Sequence, residues 1–228
     1  MSALKPPAAA RRPKVIEQLG RTRTDDYQWM KDDNWREVLR DPKVLQADIR
    51  EHLEAENAYT KALLEKTDAL QAQLFAEMKG RIKEDDSSVP AADGPWEYYA
   101  RYEIGAEHPV HGRRPRGQTS GEQVLLDEDA LAKGKAFFQV GAASHSPDHK
   151  LYAWAADEQG SEYYTIRVKD LESGQTLEHT IDSAYGSFVF SPDSEWIFWI
   201  WRDENARPSK VYRRPVRGGE DVLVYEET

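Results

Sequence analysis

The sequence contains no cysteine and only three methionines among its 228 residues. Without a thiol there is no disulfide, no thiolate metal site and no cysteine nucleophile. A long apolar run is missing as well. Charged residues make up 32% of the chain, the mean hydropathy is −0.80, and no stretch approaches the roughly 20 apolar residues of a membrane span, so no membrane partner is expected. The opening residues, MSALKPPAAARRPKV, carry an Ala triplet but no apolar region ahead of a cleavage site, and read as a disordered lead rather than a signal peptide. The expected compartment is the cytoplasm. Positive charge is in deficit: 31 Lys and Arg face 41 Asp and Glu, for a net charge of −10. Such a surface repels a phosphate backbone and attracts cations, which argues against nucleic acid as a partner. Finally, no Gly-x-Ser-x-Gly elbow, Walker loop, Gly-x-Gly-x-x-Gly or His-Glu-x-x-His occurs, so no nucleophile elbow, cofactor or metal site is expected from a motif.

What is present falls into two regions. From about residue 25 to residue 84, Leu45, Ile49, Leu53, Leu63, Leu70, Leu74 and Met78 recur mostly at helical spacing and predict two or three helices with one buried stripe. Asp41-Pro42 predicts an N-cap followed by proline in the first turn, Asp68 with Gln71 resembles a capping box, and Lys79-Gly80 closes the last helix. The polar, turn-rich stretch from Glu84 to Pro95 predicts a loop. Residues 1–80 and 81–228 are therefore expected to be separate domains.

Beyond this boundary the pattern changes to short strands at Trp96–Tyr102, Val124–Leu126, Phe137–Val140, Leu151–Ala155 and Tyr163–Val168. It also repeats. Ser146-Pro147-Asp148 recurs as Ser191-Pro192-Asp193 and Asp157-Glu158 as Asp203-Glu204, and Ser161 to Val168 can be laid over Ser209 to Val216 at a slightly larger offset. A period of about 40 to 50 residues with several strands per unit is the signature of a β-propeller rather than a sandwich. Three of the seven tryptophans lie within Trp196-Ile-Phe-Trp-Ile-Trp201. Alternation sends Trp196, Phe198 and Ile200 one way and Ile197, Trp199 and Trp201 the other, so both faces are apolar, as in a strand covered by a blade on each side. Leu151–Ala155 has the same character one unit earlier.

Single residues give less. His145, Ser146, Asp148 and His149 bring together the residue types of a triad, but adjacent residues rarely meet triad geometry, and the second Ser-Pro-Asp has no histidine; a turn is expected. His108 and His111 lie in a Pro- and Arg-rich loop without close carboxylates, so no metal is expected there. Gly112-Arg-Arg-Pro-Arg-Gly117 reads as an exposed basic loop, and the pairs Asp32-Asp33 and Asp85-Asp86 as solvated charge.

The stretch Asp25-Asp-Tyr-Gln-Trp-Met-Lys-Asp-Asp-Asn-Trp35 resembles the N-terminal signature of the prolyl oligopeptidase family. Met78 to Pro90, Gly160-Ser-Glu-Tyr-Tyr-Thr165 and Asp203 to Val211 are similar to its oligopeptidase B branch, also called protease II. The resemblance covers residue 13 onward. It implies a serine oligopeptidase that cuts short peptides after Lys or Arg, with a seven-bladed propeller gating access to an α/β-hydrolase domain. It places the Ser, Asp and His of the triad in that C-terminal domain, so no catalytic residue is carried over to this chain and no cofactor is implied. The expected fold is mainly β, an incomplete β-propeller of about three blades after a helical segment (residues 1–80) that packs on the hydrolase domain. Three blades cannot close a ring, so an unpaired edge and a tendency to associate are expected. Glu162 corresponds to an element that the resemblance associates with domain contact. The alternative is a stand-alone propeller-like interaction module that binds a basic partner.

Overall fold

The computed structural model describes residues 4–227. It divides into two compact units, the second beginning at Lys83.

The first unit opens with an antiparallel hairpin, β1 (Lys14–Gln18) and β2 (Arg21–Asp25), in register Lys14 to Asp25. Its two-residue turn, Leu19-Gly20, has positive φ at both positions (52° and 70°), the geometry that matches the twist of paired strands. Lys14 and Val15, expected to lie in a disordered lead, are thus strand. Helices α1 (Trp35–Arg40), α2 (Ala47–Leu64) and α3 (Asp68–Lys79) follow. The Asp41 carboxylate accepts from the Lys43 N–H at 3.0 Å, at the start of a short 3-10 turn with Pro42 in first position. At α3 the cap lies one residue earlier than expected: Thr67 is the N-cap, and Gln71 Nε2 donates to its hydroxyl at 2.7 Å. Gly80 closes the helix.

The apolar stripe is regular but not buried. Ile49 is 4% exposed, whereas Leu53, Leu63, Leu70, Leu74 and Met78 are 44–58% exposed. The physical reason is that helical periodicity creates an apolar face without supplying anything to cover it. Asp32 also departs from expectation. It is buried, its carboxylate accepts from the Asn34 and Gln46 N–H groups at 2.8 and 2.9 Å and from the Gln46 side chain, and it ties the approach to α1 to the start of α2. Those N–H groups, Gln46 first, hold its carboxyl below the usual carboxylate range.

The second unit is built of β-strands. Blade 1 is a four-stranded antiparallel sheet of β3 (Ala91–Asp93), β4 (Trp96–Arg101), β5 (Val110–Pro115) and β6 (Gln123–Asp127). A short helix, α4 (Glu128–Ala132), leads out of it. Seven strands then form one sheet in chain order: β7 (Gln139–His145), β8 (Leu151–Asp157), β9 (Tyr164–Asp170), β10 (Ile181–Phe190), β11 (Trp196–Arg202), β12 (Pro208–Pro215) and β13 (Val222–Glu226). This sheet is two blades run together. The first half of β10 pairs with β9 through Ile181 and Ala184, and the second half pairs with β11 through Phe188 and Phe190. Between the halves Gly186 has φ +94°, and a Cβ there would come within 2.8 Å of the Tyr164 ring. β13 forms the edge of the sheet.

Strand register corrects the reading of the repeat. Leu151 pairs with Asp170 and Trp196 with Pro215, so both partners shift by 45 residues and the offset does not grow along the strands. The further residue of offset at Asp203 arises because Asp157 is the last residue of β8 whereas Asp203 lies one residue past the end of β11. The same register places Val168 over Arg213, not Val216. Blade 1 belongs to the series too, because Trp96 pairs with Pro115. The N–H groups of Arg116, Leu171 and Val216 make the same bond in the three blades, to the carbonyls of Pro95, Lys150 and Glu195.

The two cores lie on either side of β8. Tyr152, Trp154 and Ala156 pack with Leu125, Leu126 and Phe138 on the blade 1 side; Leu151, Ala153 and Ala155 pack with Ile166, Phe188, Ile197 and Trp199 on the other. All seven residues of β8 are buried, as its two-sided apolar sequence predicts, and each large side chain so covered stabilises by about 1.5–3 kcal/mol. In β11 only half of that expectation holds. Ile197 and Trp199 are buried, but Trp196, Phe198, Ile200 and Trp201 are half-buried. Arg113 corrects the reading of residues 112–117. Arg116 and Gly117 form the exposed turn expected for the whole stretch, while residues 112–115 belong to β5 and Arg113 is 5% exposed. Its guanidinium lies 3.9 Å over the Trp96 ring and donates to the Gln123 side chain and the His149 carbonyl, which satisfies the buried charge.

Candidate functional site at the blade loops

Glu162 lies in the loop between β8 and β9, and one carboxylate organises that loop. Asp157, 2% exposed at the end of β8, accepts from the N–H groups of Gln159, Gly160 and Glu162 at 2.9, 3.0 and 2.7 Å. Asp203 does the same in the next blade, accepting from Asn205 and Arg207 at 2.8 and 2.9 Å. The Arg207 N–H in particular holds its carboxyl below the usual range, against the opposing effect of burial. This explains the repeated Asp-Glu: an aspartate at the strand end collects N–H groups that a tight loop leaves unpaired.

Glu162 has φ +59°, a left-handed conformation that costs a non-glycine residue about 1 kcal/mol or more. The bend turns its backbone carbonyl and its carboxylate toward one guanidinium. Arg202 Nη1 donates to the carbonyl at 2.5 Å and Nη2 to Oε2 at 2.9 Å, while its Nε donates to the Ala206 carbonyl at 2.7 Å. The Arg202 side chain is 11% exposed and that of Glu162 72%. Tyr163 and Tyr185 flank the guanidinium at 5.4 and 5.5 Å, and the Tyr163 hydroxyl donates to the Asp203 carbonyl at 2.7 Å. The loops of two neighbouring blades are thus clamped together, with the second carboxylate oxygen of Glu162 on the surface. Sequence reading singled out Glu162 but not Arg202, whose counterpart in the 45-residue register is Asp157, so repetition carried no signal for it.

The other candidates resolve into structure. Ser146 Oγ donates to Asp148 at 2.6 Å and accepts from the Leu151 N–H at 2.9 Å. Ser191 bonds Asp193 in the same way and accepts from the Trp196 N–H at 2.9 Å. Burial opposes ionisation of Asp148, but the Ser146 hydroxyl and the Lys150 N–H outweigh it and hold the carboxyl below its ordinary value. His145 reaches the Ser146 carbonyl, not its hydroxyl, so Ser146 has no base and both Ser-Pro-Asp elements are turns. His108 and His111 do not converge on a ligand. His111 Nε2 meets the buried Glu128 at 2.5 Å, and His108 lines an open cleft of about 820 Å³ with Asp129, Lys133 and Phe138. No helix among the described residues is long and apolar enough to cross a membrane.

Residues 6–228 match the model of the prolyl oligopeptidase N-terminal beta-propeller domain. The chain belongs to that family. Among curated proteins it is similar to dipeptidyl aminopeptidase BI of Pseudoxanthomonas mexicana, 38% identical over 97% of this chain and 32% of the relative. It is also similar to protease 2 of Moraxella lacunata, 29% identical over 98% of this chain and 32% of the relative. Among solved structures, oligopeptidase B from Leishmania major is 31% identical with a TM-score of 0.87, covering 99% of this chain and 33% of that one. The closed form of oligopeptidase B from Trypanosoma brucei with covalently bound antipain is 29% identical with a TM-score of 0.85, covering 98% and 32%. This propeller-family chain therefore spans about a third of the length of these relatives, all of which bear the names of peptidases.

Proposed function

We propose that this chain is the propeller-bearing portion of a serine oligopeptidase that cleaves short peptides after Lys or Arg. In this reading the catalytic serine, aspartate and histidine reside in an α/β-hydrolase domain outside these residues, and the blades control which peptides reach it. The observation that carries the proposal is the likeness to oligopeptidase B over 99% of the chain at a TM-score of 0.87. The net charge of −10 supports it, since an acidic wall favours the approach of cationic peptides. Residues 1–80 would serve as the segment that docks on the hydrolase domain, an assignment supported by the exposed Leu70, Leu74 and Met78. Glu162 would contribute to contact with that domain through its exposed carboxylate. The cytoplasm remains the expected location.

A second reading is favoured by the 38% identity to dipeptidyl aminopeptidase BI: removal of dipeptides from a free N-terminus. One assay separates the two. The polypeptide that carries this chain together with a hydrolase domain is offered an N-blocked, Arg-containing chromogenic peptide and an unblocked dipeptide conjugate. Cleavage of the blocked peptide, abolished by a serine-directed inhibitor, supports the oligopeptidase; cleavage of the unblocked one alone supports the dipeptidase. Residues 1–228 alone are expected to cleave neither, and activity there would refute both readings. An unaltered kcat and KM after Glu162→Gln would remove the role given to that residue.

A further inference from the structure

The seams between successive blades are built to one plan, and one of them departs from it. In each blade an aspartate precedes a left-handed residue in the turn after the first strand: Asp93-Gly94, Asp148-His149 and Asp193-Ser194, with φ of 53°, 61° and 62° at the second position. In blades 2 and 3 the aspartate is held by a serine two residues earlier. In blade 1 that position is Ala91, which has no hydroxyl, and the Asp93 carboxylate faces the neighbouring blade instead. At the seam of blades 2 and 3 the Asp148 N–H donates to the Ser194 hydroxyl at 3.1 Å. At the seam of blades 1 and 2 the corresponding residue is His149, with His145 where blade 3 has Phe190.

Asp93, His145 and His149 are the only three carboxylate or imidazole groups among the described residues whose ligand atoms gather, all within 4.8 Å of one another. His145 Nε2 lies 3.4 Å from Asp93 Oδ2. Its Nδ1 is 2.9 Å from the Ser146 carbonyl, an oxygen that only accepts, so Nδ1 is the donor of that bond and Nε2 is the nitrogen turned toward the carboxylate. An imidazole nitrogen and a carboxylate oxygen so placed can share a proton or hold a metal ion between them. The outer atoms of a metal site are also in place. His149 Nδ1 is 2.8 Å from the Tyr98 hydroxyl, and Tyr98 stacks on His145 with centroids 3.9 Å apart. A Cβ on residue 94 would lie 2.5 Å from His149 Nε2, so glycine there keeps the nitrogen uncovered. Arg113 donates to the His149 carbonyl, to the Gln123 side chain and, at 3.4 Å, to the Tyr98 hydroxyl, and lies over the ring of Trp96.

We propose that Asp93, His145 and His149 bind one divalent transition-metal ion of the zinc class, which clips blade 1 to blade 2. Two imidazoles and one carboxylate suit Zn²⁺ and leave a fourth position for water, while Mg²⁺ and Ca²⁺ prefer all-oxygen shells. Chelator-treated protein titrated with ZnCl₂ by calorimetry is expected to take up one ion per chain, with no competition from Mg²⁺ and with a rise in Tm. Asp93→Asn and His145→Ala are expected to weaken binding by at least about tenfold and to abolish the Tm rise. The Asp93 side chain is 61% exposed, so its variant keeps the fold, checked by circular dichroism, and decides the matter even where His145→Ala does not fold. The absence of saturable Zn²⁺ binding, or affinity unchanged in Asp93→Asn, would overturn the site and leave an ordinary His–Asp ion pair.

Discussion

Helix α3 and strand β8 both carry a regular apolar pattern, and they bury it to very different extents. In α3, Leu70, Leu74 and Phe75 are 45–65% exposed. In β8 no residue is more than 4% exposed. The difference lies in what the chain places beside each element. A strand within a blade meets neighbours on both faces by the regularity of the repeat, whereas a helix with one apolar face needs a separate partner. Periodicity therefore states what an element is able to bury; topology decides whether it does.

Three experiments test this contrast. The largest effect is expected at Trp199, 4% exposed in the core between blades 2 and 3: Trp199→Ala should lower stability by about 3–5 kcal/mol in urea unfolding, and a loss under about 1 kcal/mol would mean that the core is not packed as described. A smaller, pH-dependent effect is expected at Asp32. Its carboxyl titrates below the unfolded value, so its contribution is complete above the ordinary carboxylate range and disappears as pH falls through the depressed folded value. Hydrogen exchange at the Gln46 amide should accelerate over that acidic interval, and Asp32→Asn should flatten the dependence. The smallest effect belongs to Leu74, 45% exposed. Leu74→Ser should change the stability of the 228-residue chain by no more than about 0.5 kcal/mol, and a larger loss would show the α3 stripe to be covered.

Much of the architecture was legible in the sequence because propellers repeat local chemistry. The Ser-Pro-Asp turns, the Asp-Glu strand ends and the two-sided strand at Leu151–Ala155 each betray a blade, since the same hydrogen bonds must be satisfied in every unit. Blade 1 carried a signal that went unread: Arg113-Arg114-Pro115 and Arg213-Arg214-Pro215 stand in the same register, each first arginine lying over a tryptophan, Trp96 or Trp196. Counting Pro and Gly placed the first of these in a loop, yet proline is tolerated at the end of a strand. The hairpin at Lys14–Asp25 escaped because one glycine beside a leucine is a weak turn signal. The clamp on Glu162 and the Asp93–His145–His149 group were beyond sequence reading for another reason. The clamp joins loops of blades 2 and 3, and the second group joins Asp93 of the four-stranded sheet to two histidines of the seven-stranded one, so each depends on tertiary packing rather than on neighbours in sequence.

β10 has a consequence for the order in which this molecule comes apart. Because one strand serves two blades, blades 2 and 3 share a continuous ladder of backbone hydrogen bonds, and Ala184, with no exposed surface, pairs on both sides of it. Blade 1 belongs to a separate sheet. It is joined to blade 2 by side chains, among them Lys169, whose ammonium reaches the Val124 and Leu125 carbonyls, and Gln123, which reaches that of Leu171. The shared ladder opens only when its strands melt, whereas the other seam is held by a side-chain core and a few polar contacts, without a backbone ladder. Opening is therefore expected to begin between the four-stranded and the seven-stranded sheet, along the seam where Asp93 meets His145.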